Sequence, residues 1–104
     1  MATSKEYLNF ILDQLSGLSD ITYKQMMGEY IIYYKGKIAA YVCDNRLLIK
    51  PVSSAVKMMP DAKLEPPYSG AKDLLLVENV DDKKFLEELF NAIYDELPIP
   101  KKKK

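Results

Sequence analysis

The sequence predicts an α+β domain in which an amphipathic helix near each end of the chain flanks a run of short β-strands. Residues 8–15 and 85–97 each carry apolar side chains three and four positions apart, the spacing of one face of an α-helix. Residues 21–50 are instead rich in tyrosine and β-branched residues, which favour strands. At 104 residues, 48% of them apolar and 29% charged, the chain has the size and composition of one globular domain.

The first helix is predicted to begin at a capping box. Thr3 and Glu6 have the spacing at which each side chain accepts a hydrogen bond from the other residue's backbone N–H. Gly17 follows the last apolar position and can adopt the left-handed conformation that ends a helix. The helix is therefore expected to occupy the residues between these two signals.

A β-meander follows the first helix. Turn-forming residues at Gly28, Lys35-Gly36 and Asp44-Asn45 divide the region into four strands, at roughly 21–27, 29–35, 37–43 and 46–50. Lys35-Gly36 and Asp44-Asn45 are each expected to form a tight two-residue turn. Gly28 is expected to bend or bulge its strand, because a single glycine without a glycine-rich context is a weak signal for a ligand-binding loop.

The middle of the chain is predicted to contain a short helix and a later strand. The helix covers residues 52–59 and ends before Pro60. Pro66 and Pro67 lack the N–H that a central strand must donate, so this part is a short edge strand or a loop. Residues 74–77 form an apolar run bounded by turn formers, which is typical of a buried strand.

The last helix has the clearest signals. Asp81 is expected to be its N-cap, and Pro98 ends it. Residues 1–97 are therefore expected to form a single domain, and residues 98–104, which are rich in proline and lysine, a disordered tail. The following residues are expected to form the core: Leu8, Ile11, Leu12, Leu15, Ile31, Ile38, Val42, Leu75, Val77, Leu86, Leu89, Phe90 and Ile93.

The charge distribution disfavours general nucleic-acid binding. The formal net charge is zero, but four of the 15 basic residues are the terminal lysines at 101–104. Without them the chain carries 11 basic and 15 acidic residues, a net charge of −4. A domain with a net negative charge does not provide the basic surface that is required to neutralise the phosphates of a nucleic acid.

The residue types present also exclude several classes of function. The chain has no histidine, which removes the usual general base, the Ser-His and Cys-His nucleophiles and the commonest metal ligand. Cys43 is the only cysteine, so no internal disulfide can form. The longest apolar run, residues 38–43, is far shorter than a membrane span. We therefore expect a cytoplasmic protein that is not an enzyme and has no membrane partner.

Several residues resemble the N-terminal domain of the TfoX/Sxy family of competence regulators. They are Met26, Gly28, Tyr30 and Tyr33, the run Tyr34-Lys35-Gly36-Lys37, Leu47 and Lys50, and the pair Pro67-Tyr68. The resemblance covers nearly the whole chain and implies a two-layer α+β fold with an antiparallel sheet. Better-known members carry a second, helical domain, so this chain is similar to a stand-alone member. The family supplies no catalytic residues or cofactor.

The two tight turns predict which side chains share a face of the sheet. Tyr33 should pair with Ile38, Ile31 with Ala40 and Val42 with Leu47. One face then carries Ile31, Tyr33, Ile38, Ala40, Val42, Leu47 and Ile49 and is expected to lie under the helices. The opposite face would carry Tyr30, Ile32, Tyr34, Lys37, Ala39, Tyr41, Cys43, Arg46, Leu48 and Lys50.

We interpret this opposite face as an interaction surface. Its candidate residues are Tyr30, Ile32, Tyr34, Lys37, Tyr41, Arg46, Leu48 and Lys50. The function expected is regulation through contact with a protein partner or a second copy of the chain. The alternative is a single-stranded nucleic-acid-binding module, with tyrosines that stack on bases and cations that contact phosphates. A curled sheet, or a 52–70 segment folded over it, would instead bury these rings within one chain.

Three further groups have a structural interpretation. The pairs Met26-Met27 and Met58-Met59 are expected to fill gaps in the core, although methionine also suits an adaptable binding surface. Cys43 is expected to be an inert thiol, since its acidic neighbour Asp44 raises a thiol pKa. The acidic residues near the start of the last helix suit its N-terminus, and no metal site is expected among them.

Overall fold

The computed structural model describes residues 4–26, 29–66 and 70–97. Within these ranges the chain forms three helices and a six-stranded sheet. In chain order the elements are α1 (Lys5–Gln14), β1 (Ile21–Met26), β2 (Glu29–Tyr34), β3 (Lys37–Cys43), β4 (Arg46–Ile49), α2 (Ser53–Met58), β5 (Leu64–Glu65), β6 (Leu74–Val77) and α3 (Lys83–Tyr94). The predicted α+β fold is confirmed. Gly28, the pair Pro67-Tyr68 and the tail at 98–104 lie outside the described residues.

The sheet is antiparallel and has the strand order β1-β2-β3-β4-β6-β5. The first four strands form the predicted meander, and β6 is the later strand, inserted next to β4. β5, with two residues, pairs on the outer side of β6. No helix in the described part of the chain is long and apolar enough to span a lipid bilayer.

Both predicted two-residue turns are confirmed. Lys35 and Gly36 have φ angles of 51° and 84°, and Asp44 and Asn45 both have 56°. Positive φ at both central residues is the conformation that joins two twisted antiparallel strands most directly. Asp44 and Asn45 adopt it without glycine, as their short polar side chains allow.

β3 contains a β-bulge that the sequence did not reveal. Tyr33 pairs with Ile38 as predicted, but the next residue of β2, Ile32, pairs with Ala40. Ala39 is therefore an extra residue opposite no single partner. Without a bulge, Ile32 would pair with Ala39 and Ile31 with Ala40. Because side chains alternate between the two faces of a strand, the shift of one residue places Ile32, and not Ile31, on the same face as Ala40.

The bulge makes part of the predicted face assignment wrong. Ile31 pairs with Tyr41 rather than with Ala40, and both lie on the face opposite the helices. Tyr33 and Ile38 lie there too. The side chains of β2 that face the helices are instead Tyr30, Ile32 and Tyr34, together with Lys37 and Ala39 of β3. The assignment is correct for the residues after the bulge, where Ala40, Val42, Leu47 and Ile49 join the main core.

The main core lies between one face of the sheet and the helices. Most of the predicted core residues are buried, whereas Leu12 and Ile38 are only half-buried. Phe90 of α3 is the largest of the fully buried side chains. The half-buried methionines Met58 and Met59 pack against this core, as expected of gap-filling residues. The same prediction is wrong for Met26, which is 46% exposed, and Met27 lies outside the described residues. The core therefore combines the apolar stripes of both long helices with the inward side chains of the sheet.

The helix caps differ from those predicted by one residue each. The N-cap of α1 is Ser4, whose Oγ accepts a 3.1 Å hydrogen bond from the backbone N–H of Tyr7; Thr3 lies outside the described residues. The N-cap of α3 is Asp82 rather than Asp81, and its Oδ1 accepts a 3.0 Å hydrogen bond from the N–H of Phe85. In both helices a neighbouring residue of equal capping ability takes the position.

The end of α1 was also predicted wrongly. The helix ends at Gln14, and Gly17 does not have the positive φ expected of it. The carboxylate of Glu87 on α3 lies where a Cβ at residue 17 would stand. That contact involves only the end of a flexible side chain, so the structure shows no strict requirement for glycine at residue 17.

Candidate interaction surface

The face of the sheet opposite the long helices is here named the second face. Pairing and alternation place the following residues on it: Thr22, Lys24, Met26, Glu29, Ile31, Tyr33, Ile38, Tyr41, Cys43, Arg46, Leu48, Glu65, Leu74 and Leu76. Lys50, one residue beyond β4, continues the alternation. The second face thus mixes aromatic, aliphatic and charged side chains.

A small apolar cluster occupies the middle of the second face. Cys43, Leu48 and Leu74 are buried there, with Tyr41 and Leu76 packed half-buried around them. This cluster is separate from the main core, since the sheet lies between them. Leu48 has no exposed surface, so its predicted position on an exposed interaction surface is wrong.

Arg46 joins the second face to the outer edge of the sheet. Its Nη1 lies 2.7 Å from Oε1 of Glu65 on β5. Its Nη2 donates a 3.3 Å hydrogen bond to the carbonyl oxygen of Pro66, and its Nε donates one of 3.3 Å to that of Cys43. The guanidinium therefore holds β5 against the β3–β4 hairpin, and the neighbouring carboxylate offsets its charge.

Cys43 is buried next to an acidic side chain. Burial is the main cause that raises the pKa of its thiol to about 12, and the carboxylate of Glu29, both as a charge and as a hydrogen-bond partner, raises it further. A thiol with such a pKa has almost no thiolate at neutral pH. The structure therefore agrees with the expected inert thiol, with Glu29 a larger influence than Asp44.

Four of the predicted interaction residues lie on the helix face instead. Tyr30, Ile32 and Tyr34 are at most 5% exposed and belong to the main core. Lys37 donates a 3.1 Å hydrogen bond from Nζ to the carbonyl oxygen of Tyr94, and the ammonium lies 4.2 Å from the centre of that ring. The prediction that these residues form an exposed patch is wrong, because the bulge turns them towards α3.

The remaining predicted residues, Tyr41, Arg46 and Lys50, lie on the second face as expected. They are half-buried and share that face with Tyr33 and Ile38, which the sequence had assigned to the core. The residues adjacent to Ala39 include no glycine or other residue pattern that predicts a bulge. The pairing of Tyr33 with Ile38 was predicted correctly, so only the choice of face failed.

A shallow cavity of about 220 Å³ lies beside α2. It is lined by Met58, Met59, Pro60, Asp61, Ala62, Leu76, Glu78 and Asn79. No group of three or more Cys, Asp or Glu side chains in the described ranges is placed to hold a metal ion. The lining of the cavity includes two carboxylates and two thioethers, which do not form a set of metal ligands.

Comparisons with known proteins identify a family and a relative of similar length. A sequence profile of the TfoX N-terminal domain matches residues 13–94, most of the chain. An uncharacterized 12.7 kDa protein from the trpE 5′ region of Spirochaeta aurantia is 31% identical over 105 residues, an alignment that spans all of this chain and 91% of the relative. No solved structure matches the chain significantly. The chain belongs to the TfoX N-terminal domain family.

Proposed function

We propose that this protein is a non-enzymatic regulatory domain that acts in the cytoplasm by binding a protein partner through the second face. The observation that carries the proposal is the direct pairing of Tyr33 with Ile38 on the side of the sheet opposite the long helices. Both side chains are half-buried. An aromatic and an aliphatic residue side by side supply the apolar contact area that a protein interface needs at its centre.

The surroundings of this pair suit a protein rather than a nucleic acid. Tyrosine offers a large rigid ring together with a hydroxyl that can remain hydrated, and it is enriched in protein interfaces. The second face carries the carboxylates of Glu29 and Glu65 as well as cations, and Arg46 is paired with Glu65. A surface of mixed charge fits a polar interface rim, whereas phosphate binding needs an excess of positive charge.

Two observations support a non-enzymatic role. Cys43, the only thiol of the chain, is held protonated at neutral pH by burial and by Glu29. The chain also has no histidine to act as a base. Regulation through contact requires neither group.

The alternative function is binding of single-stranded nucleic acid. It is favoured by the presence of Tyr33 and Tyr41 on the same face as Lys24 and Lys50, because bases stack on aromatic rings and lysines contact phosphates. Binding of this kind weakens steeply as salt is added. A labelled oligonucleotide titrated at low and high salt therefore measures it directly.

Site-specific photo-crosslinking tests the proposed function. A photoreactive phenylalanine analogue replaces Tyr33 in one variant and the exposed Ala92 of α3 in a matched control, and both are irradiated in cells. We expect a protease-sensitive adduct of defined mass from position 33 only, and its loss when Ile38→Asp is added. Equal labelling from both positions, or none from position 33, contradicts the proposal. A nuclease-sensitive adduct supports the nucleic-acid alternative.

A further inference from the structure

We propose that two copies of this chain associate through their first β-strands, pairing β1 with its copy in antiparallel fashion about a twofold axis at Tyr23. The surface used is the edge of the sheet, which is distinct from the second face. The result would be one continuous sheet of two chains, with the helices of both on the same side.

The two edges of the sheet differ in how they are protected. β5 has only two residues and is followed by Pro66, which lacks an N–H. β1 has six residues, and five of them are exposed. It pairs with β2 in regular register, without a bulge, and contains no proline. A long regular edge strand presents unpaired backbone groups, so it favours addition of another strand.

The pairing of β1 with β2 determines which backbone groups point outward. The N–H of Lys35 donates a 3.0 Å hydrogen bond to the carbonyl oxygen of Asp20, so these two residues form a hydrogen-bonded pair. In an antiparallel ladder such pairs alternate with pairs whose backbone groups point away. Ile21, Tyr23 and Gln25 therefore direct their N–H and C=O groups towards the outer edge.

Only some registers fit a symmetric dimer. A twofold axis perpendicular to the sheet places residues of the same face opposite each other. The axis must therefore lie level with one residue of β1, so that this residue is opposite its own copy. With the axis at Tyr23, Ile21 lies opposite Gln25 of the second copy, and every outward group of the three residues is paired. An axis at Thr22 leaves Gln25 without a partner. An axis at Lys24 places two ammonium groups opposite each other, which is destabilising.

The side chains favour the same register. Tyr23 is 49% exposed, and its ring makes an edge-to-face contact with the ring of Tyr30, with 5.8 Å between the ring centres. In the dimer the two Tyr23 rings would lie side by side, extending this contact across the axis. Lys24 would lie directly opposite Thr22 of the second copy, so the two Lys24 residues would be diagonal neighbours and not directly opposite each other. The strand is thus complementary to itself, which identifies the occupant of the edge as a second copy of the chain.

Analytical ultracentrifugation of the full chain across the micromolar range tests the proposal. We expect a concentration-dependent dimer in the wild type. Tyr23→Lys should weaken it about tenfold or more, because it places like charges opposite each other at the axis. Leu64→Lys is the matched control, since Leu64 is 56% exposed on the opposite edge, and it should leave the dimer unchanged. Circular dichroism confirms that both variants are folded.

Disulfide trapping tests the register independently. In a Cys43→Ala background, Tyr23→Cys should form an intermolecular disulfide under mild oxidation, because hydrogen-bonded pairs have Cα atoms about 5.5 Å apart. Gln25→Cys should not, because its copy lies several residues away. Trapping by Lys24→Cys instead, a monomeric wild type, or a dimer unaffected by Tyr23→Lys would each overturn the proposal.

Discussion

The phenolic hydroxyl of Tyr34 donates a 2.6 Å hydrogen bond to Oδ1 of Asn91, and so ties the meander to α3. The same ring lies 6.3 Å from the ring of Phe90 and 5.4 Å from that of Tyr94, measured between centres. A side chain that the sequence placed on an interaction surface is therefore one of the main contacts between sheet and helix. The bulge at Ala39 is the reason, since it sets Tyr34 on the helix face.

We expect Tyr34→Phe to lower the free energy of unfolding by about 0.5–1.5 kcal/mol, the net contribution of one such hydrogen bond. The ring contacts remain, so only the bond is lost. Urea denaturation measures the change, and a double-mutant cycle with Asn91→Ala isolates the pair. Tyr33→Phe, on the other face of the same strand, should cost less. Strictly additive effects in the cycle would show that the two side chains do not interact.

Docking of α3 is tested at Phe90. This side chain is fully buried in the main core, so Phe90→Ala leaves a cavity and should cost about 3–5 kcal/mol of unfolding free energy. That loss is a large share of the about 5–15 kcal/mol that stabilises a typical domain. Phe10→Ala is the control, because Phe10 is 40% exposed on α1. Similar losses in the two variants would contradict the packing described for α3.

The bulge itself can be tested by removing its extra residue. Deletion of Ala39 makes the observed pairs Tyr33–Ile38 and Ile32–Ala40 consecutive, without a bulge between them. The side chains of β2 should therefore stay on their present faces, and we expect the variant to keep a cooperative fold. Near-ultraviolet circular dichroism and thermal unfolding measure this outcome. Deletion of the exposed Ser19, in the loop before β1, is the control and should be tolerated. Loss of the cooperative fold in the Ala39 deletion alone would contradict this expectation and show that the fold requires the bulge.

The bulge also explains how far the sequence could predict the structure. Helix stripes, turn residues and apolar runs carry local signals, so the strands and both tight turns were found to within a residue or two. An alanine at a bulge has no such signal, and tyrosine is compatible with either face of a sheet. The choice of face for β2 therefore depended on a register shift of one residue. The predicted helix caps were wrong by only one residue, because neighbouring residues such as Asp81 and Asp82 are equally suited to the position.

The buried thiol of Cys43 predicts a pH dependence of stability. Its pKa is raised from the ordinary value of 9.0 to about 12, mainly by burial and then by Glu29. Between these values the unfolded chain releases the thiol proton and the folded chain keeps it, so the unfolded state binds fewer protons and stability falls as pH rises. Below pH 9.0 both states are protonated, and the contribution of the thiol is fully present.

The measurement compares the wild type with Cys43→Ala in urea as pH is raised above 9.0. The alanine variant retains every other group that titrates in this range, so the difference between the two chains isolates the thiol. We expect the wild type to lose up to about 1.4 kcal/mol more per pH unit than the variant. Adding Glu29→Gln should make this loss level off at a lower pH, because it removes a charge that raises the pKa of the thiol in the folded chain. Parallel pH profiles for wild type and Cys43→Ala would show that the folded chain does not hold the thiol proton.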